Sequence, residues 1–341
     1  MRLVCRCRAG MVFQLTKDLV LRALREHPDQ FVSGGQLSES IGVSRTAVWK
    51  AVEQLRKEGY PISSLPRQGH RLSSGADVLS AEGIQRELTH PGLQVRVFPT
   101  ITSTNTVLKQ MAMEDDPAGL ALVAGEQTAG RGRLGRSFYS PPSTGLYMSL
   151  LLRPQMKASE AIRLTACAAV SVAEALESLA DVHPGIKWVN DLYLGGRKIC
   201  GILTEAGLDL ETGGMTYVVV GIGINTRLPD GGFPEELGSI AGSAFGDAPI
   251  PNLRNRLAAG VLNRLMACSE NPASPEIFEK YRSRSLAPGR AIRILRPGED
   301  PVPAVALDLE PDYALRVRLE NGVEQILRSG EISIRLEPPM D

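Results

Sequence analysis

Between Gly130 and Arg136 the chain reads Gly-Arg-Gly-Arg-Leu-Gly-Arg, glycines and arginines with a single apolar residue. Such a run cannot bury itself. Glycine opens backbone conformations closed to other residues, and arginine offers fork-shaped donors matched to phosphate and carboxylate oxygens. The segment is expected to be a loop that orders around an anion. Taken alone, it reads equally as a solvated loop or a non-specific nucleic-acid tail. Gly130, Gly132 and Gly135 also satisfy G-x-G-x-x-G, but Ser137-Phe138-Tyr139-Ser140-Pro141-Pro142 follows. That stretch cannot open the apolar helix a dinucleotide-binding turn needs, so the dinucleotide reading fails.

Four further segments concentrate polar residues where strands should end: Thr102-Ser103-Thr104-Asn105, Gln127 ahead of the Arg-rich loop, Lys187-Trp188-Val189-Asn190-Asp191, and Arg197-Lys198. A fifth, Gly221-Ile222-Gly223-Ile224-Asn225, runs an apolar strand into glycines and an asparagine. Each has a plainer reading. Ser103 to Asn105 could be only a helix N-cap with its turn, Lys187 a strand-end surface lysine, Asp191-Leu192 a turn, and Trp188 a core residue. No Walker lysine motif, nucleophile elbow or kinase loop occurs. If ATP is used, side chains and a metal must hold its phosphates.

These segments need a scaffold, and composition bounds it. The 341 residues are 43% hydrophobic, enough for two or three domains with real cores. Lys+Arg and Asp+Glu stand at 38 each, so any nucleic-acid contact must be a local patch. Cys5, Cys7, Cys167, Cys200 and Cys268 form no C-x-x-C pair, and with four histidines there is no zinc constellation or disulfide framework. A reduced, cytoplasmic protein is expected. Met1 to Gly10 lack an apolar signal-peptide region, which leaves a disordered extension over 1–14 or a true start at Met11. No segment is long and apolar enough for a membrane span.

From about 15 to 74 the pattern is helix, helix, tight turn, helix, hairpin. Leu15, Leu19, Val20 and Leu24 recur at helical spacing, Leu37 and Ile41 mark a second helix, and Gly42-Val43-Ser44 makes the turn. Ser44 caps a third helix with Val48, Val52 and Leu55 as its buried stripe, which Gly59 stops. Ile62 to Leu72 form a two-stranded wing around Pro66 to Gly69. This is the layout of a winged helix-turn-helix, with Ser44, Arg45, Thr46 and Lys50 on the exposed face of the recognition helix and Arg67 and Arg71 on the wing. A helical protein–protein module is the plainer alternative. Trp49 is expected to pack between helix and wing rather than to read a base.

After a linker at Ser73 to Ala76 the character changes to strands and helices. Leu93–Phe98, Leu120–Ala124, Leu146–Leu152, Ile199–Thr204 and Tyr217–Ile222 read as strands. A small-residue helix is expected behind Ser159, another over Leu253 to Ala267, and a third ending near Ser283. These make one α/β domain, over 77–285. From 286 to 341 the short strands Ala291–Leu295, Val302–Leu309, Ala314–Leu319, Glu324–Leu327 and Ile332–Leu336 suggest a small SH3-like β-barrel.

Ser103-Thr104-Asn105, the loop Gly130 to Arg136, Lys187-Trp188-Val189-Asn190-Asp191 with Arg197-Lys198, and Ser44-Arg45-Thr46-Ala47-Val48-Trp49-Lys50 occur in the order seen in one family. Over about Leu15 to Arg335 the chain resembles the bifunctional biotin–protein ligase that doubles as the biotin-operon repressor. The resemblance implies an α+β multidomain protein: a winged helix-turn-helix, a class II synthetase-like ligase core and an SH3-like barrel. It implies that ATP and biotin are substrates with Mg2+ as cofactor, that biotinyl-5′-adenylate forms, and that biotin passes to a lysine of a biotin carboxyl carrier protein. Operator DNA and a homodimer in the adenylate-bound state are the further partners implied.

By the same resemblance Lys187 and Arg133 are catalytic. Ser103, Thr104, Asn105, Gln127, Arg131, Gly132, Arg133 and Lys198 hold biotin, while Arg131, Arg136, Lys187, Asn190 and Asn225 hold ATP, and Asp191 holds the metal. Val189 departs from the proline usual in the family, which should loosen that turn slightly. The alternatives are a ligand-sensing repressor without catalysis and a lipoate–protein ligase.

Overall fold

The computed structural model describes residues 16–57, 59–73, 77–209, 211, 214–246 and 250–328, together with the backbone of Ser333–Leu336. The expected extension over 1–14 and the centre of the linker lie outside the described residues. The chain divides into two compact units, one within Met1–Gly83 with Pro249–Asn255, the other Ile84–Ala248 with Arg256–Asp341.

In the first unit, α1 (16–26), α2 (Gly34–Ile41) and α3 (Arg45–Lys57) precede a hairpin of β1 (Ile62–Leu65) and β2 (Gly69–Leu72). Ser33 opens α2 with a reciprocal capping box to Gln36, and Gly42 closes it in the left-handed conformation at φ 73°. The Ser44 hydroxyl accepts from the Ala47 amide at 3.1 Å, so α3 is capped as its sequence predicts. Val20, Leu24, Leu37, Val48, Val52, Leu55, Tyr60, Ile62 and Leu72 meet in one core. The hairpin is held back onto the helices where Val32 and His70 exchange backbone hydrogen bonds at 2.8 and 2.9 Å. Gly69 there has φ 107°, and a Cβ would lie 2.1 Å from the Val32 carbonyl oxygen, so no other residue fits. Arg254 and Asn255 join this unit by binding Asp77 and the Ser80 amide at 2.8 to 3.0 Å.

The second unit is built on a mixed seven-stranded sheet. In chain order its strands are β3 (Gln94–Phe98), β4 (Leu120–Ala124), β5 (Gly145–Leu152), β6 (Gly185–Lys187), β7 (Asp191–Leu194), β8 (Arg197–Leu208) and β9 (Met215–Asn225), arranged β3-β4-β5-β9-β8-β7-β6. Of these pairs, β3 and β4 run parallel and the rest antiparallel. The central strands β4 and β5 are buried at every residue, which is why they read as unbroken apolar runs. Helix α5 (Thr104–Met113) covers one face. Leu108 and Ala112 pack there against Leu120, Leu122, Leu151 and Val219. Helix α6 (Ala161–Glu177) covers the other face, where Thr165 meets Thr204 at 2.8 Å.

Two short helices, α4 (Ala81–Gln85) and α7 (Glu235–Gly238), and the longer α8 (Leu253–Glu270) and α9 (Pro275–Ser283) complete the helical elements. A second sheet of β10 (Ala291–Leu295), β11 (Val302–Leu309), β12 (Leu315–Leu319), β13 (Glu324–Leu327) and β14 (Ser333–Leu336) is antiparallel throughout, ordered β13-β12-β11-β10-β14. It is tied to the seven-stranded sheet through Trp188, whose indole donates to the Tyr313 carbonyl at 2.8 Å. Arg282 also grips Asp308 with two nitrogens, at 2.6 and 3.0 Å.

The helix expected behind Ser159 is α6, preceded by a turn of 3-10 helix over Ala158–Glu160. Elsewhere the elements differ from the sequence reading. The strands β6 and β7 are additions to the expected set, because they are too short to show alternation; β7 is placed by pairing with β8, and β6 by pairing with β7. Trp49 is not a packing residue; it stands 57% exposed on α3.

Candidate functional site

The loop after β4, the head of α5 and the ends of β7, β8 and β9 converge on one cleft enclosing about 820 Å³, its mouth included. Ser103, Thr104, Asn105, Gln127, Arg131, Gly132, Arg133, Arg136, Asn190, Asp191 and Lys198 all line it. Segments far apart in sequence thus form one continuous site.

The floor explains the glycines. Gly221 lies under the Asn105 amide, where a Cβ would stand 1.9 Å from Oδ1. Gly201 and Gly223 lie under the Phe138 ring, and a Cβ at either position would stand only 3.1 or 2.6 Å from the ring carbons. These glycines are needed for space, so that an aromatic ring and an amide can lie flat on the sheet. Sequence reasoning noticed Gly221 and Gly223 but missed Phe138, Ser149 and Glu205, whose roles depend on pairing across the sheet.

At the head of α5 the polar residues form a connected network. Ser103 caps the helix, accepting from the Thr106 amide. The Gln127 carbonyl accepts from the Thr104 amide at 2.9 Å and hydroxyl at 3.2 Å, while its NH2 donates to Ser140. Buried Ser149 reaches Thr104 Oγ1 at 2.7 Å and Asn105 Oδ1 at 2.6 Å, and Asn105 Nδ2 donates to the Leu203 carbonyl and to Glu205. Cap and site wall are therefore the same residues, and the two readings of Ser103 to Asn105 are compatible. A network satisfied in this way holds its donors and acceptors in fixed directions.

The Arg-rich segment is a tight turn. Phe138 N donates to the Gly130 carbonyl at 2.9 Å and Gly132 N to the Arg136 carbonyl at 2.7 Å. Gly130 is crowded against the Phe138 carbonyl, and Gly135 takes φ 72°. Gly132 by contrast has an extended backbone and room for a Cβ. Arg131 Nη1 lies 3.3 Å from Glu205, which also receives Lys109 at 2.8 Å. Burial pushes the Glu205 carboxyl up, but hydrogen bonds from Lys109 and Asn105 and the charges of Lys109 and Arg131 outweigh it, leaving its pKa below the ordinary value. Arg133 Nη1 donates to Asn190 Oδ1 at 3.0 Å. Burial lowers the pKa of its guanidinium, opposed by Asp191.

Lys198 Nζ lies 2.7 Å from Asp191 Oδ1 inside the cleft. Lys187 does not line it. Lys187 pairs with Asp191 across the β6–β7 hairpin and so shares its face, but its ammonium lies over the Tyr193 ring, 5.5 Å from the centroid. Asn225 is placed elsewhere too, buried with its amide donating to the Gly242 carbonyl at 3.0 Å. The peptide between Trp188 and Val189 is cis, and Val189 is buried with its carbonyl accepting from Tyr281 at 3.0 Å.

Asp191 is the one carboxylate among the cleft-lining residues. Its Oδ1 already takes Lys198 and the Asn190 amide, at 2.7 and 3.1 Å. Among the described residues no three His, Cys, Asp or Glu side chains gather as a metal site. Such a donor set fits magnesium only as an ion carried on phosphate, with phosphate oxygens and water supplying most of its shell.

In the first unit Ser44 at the head of α3 and Arg45, Thr46 and Lys50 on it are exposed, and Arg67 is exposed at the hairpin tip with φ 66°. Arg71 is less available than expected: it is half-buried, its guanidinium stacked 4.8 Å above the Phe31 ring. Arg56 is engaged by the Ile62 carbonyl, Glu53 and Ser64.

Among the described residues no helix is long and apolar enough to cross a membrane. A family model described as the biotin/lipoate A/B protein ligase family matches residues 97–225, and one described as an HTH domain matches 16–71. The bifunctional ligase/repressor BirA of Bacillus subtilis is 37% identical over 260 residues, 75% of this chain and 77% of that protein. The protein of the same name from Escherichia coli is 32% identical over 318 residues, 90% of this chain and 94% of its own. A biotin protein ligase from Aquifex aeolicus, solved with biotin and ATP, superposes with a TM-score of 0.59 at 28% identity, covering 72% of this chain and 99% of that one.

Proposed function

The chain belongs to the family of bifunctional biotin ligase/repressors, and from that premise we propose how its own residues carry out the two activities. It is an ATP-dependent biotin–protein ligase with a helix-turn-helix repressor arm. The observation that carries the catalytic assignment is the cleft itself: Arg131, Arg133, Arg136 and Lys198 line it against two carboxylates, Asp191 in the lining and Glu205 behind Arg131. That excess of positive charge suits two anions brought together for reaction.

In the first step an oxygen of the biotin carboxylate attacks the α-phosphorus of ATP. The bond to the bridging oxygen breaks, pyrophosphate leaves, and biotinyl-5′-adenylate remains. Lys198, rather than Lys187, stands where it can stabilise negative charge on the carboxylate and α-phosphate. Arg133 and Arg131 close over the adenylate phosphate, and Arg136 and Asn190 contribute to ATP binding. Ser103, Thr104, Asn105 and Gln127 present fixed polar groups for the neutral ureido ring, which must be hydrogen-bonded once buried. In the second step the amine of an acceptor lysine attacks the anhydride carbonyl and AMP leaves. The Arg-rich turn shields the anhydride from water until then. Magnesium, held by Asp191 with phosphate oxygens, would neutralise phosphate charge.

The finer architecture follows the same premise: a winged helix over 15–74, a ligase core over 77–285 and a C-terminal domain over 286–341 whose five antiparallel strands support an SH3-like barrel. The acceptor is a biotin carboxyl carrier protein, the DNA partner an operator bound by an adenylate-loaded homodimer, and the compartment the cytoplasm. The test is incubation with biotin, ATP, magnesium and a biotin-carrier domain. Gain of one biotinyl group on the carrier lysine is expected, and an unmodified carrier overturns the assignment. Lipoate in place of biotin distinguishes the related lipoate ligase reading, for which no feature of the cleft speaks.

A further inference from the structure

Trp49 is an unexpected residue to find in water. It lies in the second turn of α3, 57% exposed, while Val48, Ala51, Val52 and Leu55 of the same helix are fully buried. Its neighbours on the exposed side are Arg45, one turn earlier, Thr46 and Lys50, all exposed. Lys57 on the same helix and Arg67 at the hairpin tip are exposed as well. Glu53 adds little opposing charge, because Arg56 Nη1 holds it at 2.7 Å.

We propose that Trp49 reads sequence directly, laying its indole against the 5-methyl group of a thymine in the major groove. This rests on the reading of the first unit as a DNA-binding arm. The N-terminal half of a recognition helix is the part that meets base edges, and Trp49 is the fifth residue of α3. The surrounding cations match a phosphate backbone and not an apolar protein face. An indole has one N–H donor and no acceptor, so its contact with base edges is chiefly apolar. The thymine methyl is the apolar group the major groove offers. In the free protein the ring's exposed area stays hydrated, and it leaves water on docking.

The full-length chain with biotin, ATP and magnesium is used to select bound duplexes from a randomised pool. In the selected consensus each thymine is replaced in turn by uracil, which removes only the methyl group. For the unaltered protein one or two such replacements should weaken binding about fourfold. Trp49→Ala should bind the consensus about tenfold more weakly and be indifferent to those same replacements, with Trp49→Phe in between. Circular dichroism melting should be unchanged in both variants, since the side chain is at the surface. Equal sensitivity to uracil in the unaltered protein and Trp49→Ala overturns the proposal, as does no sensitivity in either or full affinity in Trp49→Ala. A pool that enriches no sequence removes the DNA-binding reading itself, and the proposal with it. Enrichment with an unaffected Trp49→Ala removes only the role of this residue.

Discussion

Asp191 and Lys198, 2.7 Å apart, make Lys198 the lysine that lines the cleft. Lys198→Ala is expected to lower biotin-dependent ATP–pyrophosphate exchange by about a hundredfold or more. Lys187→Ala, removing an ammonium that rests on Tyr193, should lower it less than about fivefold. Equal losses would return Lys187 to the reacting centre. Arg133 is tethered to Asn190 at 3.0 Å, so Arg133→Gly removes both a cation and the tether of the turn. Adenylate should still form in part and escape, measured as labelled adenylate released to solution and bystander lysines biotinylated; retention like that of the unaltered protein would refute the closing role. The residue types needed for this chemistry were legible from composition and spacing. Which of two lysines enters the cleft was not, because that depends on the register of β6 against β7 and of β7 against β8, including a bulge between Leu192 and Tyr193.

At the scale of elements, the packing of α5 on β9 sets the wall of the site. Gly221→Ala would drive a methyl into the Asn105 amide, disturbing its bonds to Ser149, Leu203 and Glu205. A loss of roughly 1–3 kcal/mol in unfolding free energy is expected, together with weaker biotin binding; urea unfolding and calorimetric titration measure the two. Glu205 joins three elements through Arg131, Lys109 and Asn105. Its folded pKa is depressed, so its stabilisation is complete above the unfolded carboxylate pKa and disappears as pH falls through the lower folded value. Glu205→Gln should therefore cost stability near pH 7 and much less at about pH 3, read from denaturant midpoints at both. The same loss at the two pH values would contradict the ion-pair account. Strands buried on both faces were legible as apolar runs, and β4, β10, β11 and β13 match their expected limits residue for residue. The short hairpin of β6 and β7 was invisible, since three or four residues carry no periodicity and only their neighbours make them strands.

For the whole molecule, division into two units predicts separable activities. Arg45→Ala should weaken operator binding while carrier biotinylation proceeds at the unaltered rate; parallel loss of both would show that the units do not work independently. The sequence by itself determined the kinds of element, their order and the stock of reactive groups, because periodicity, caps and turn residues act over a few positions and were read from them. It could place Ser103 beside Thr106 and Ser44 beside Ala47. Tertiary structure alone decided which groups meet. Trp49 has the sequence of a packing residue, but the face of α3 that the core leaves uncovered put it in water. Arg131 meets Glu205, 74 positions away, and Lys187 rests on Tyr193 instead of entering the cleft. Such meetings depend on sheet order and strand register, which bring together residues that no local pattern connects.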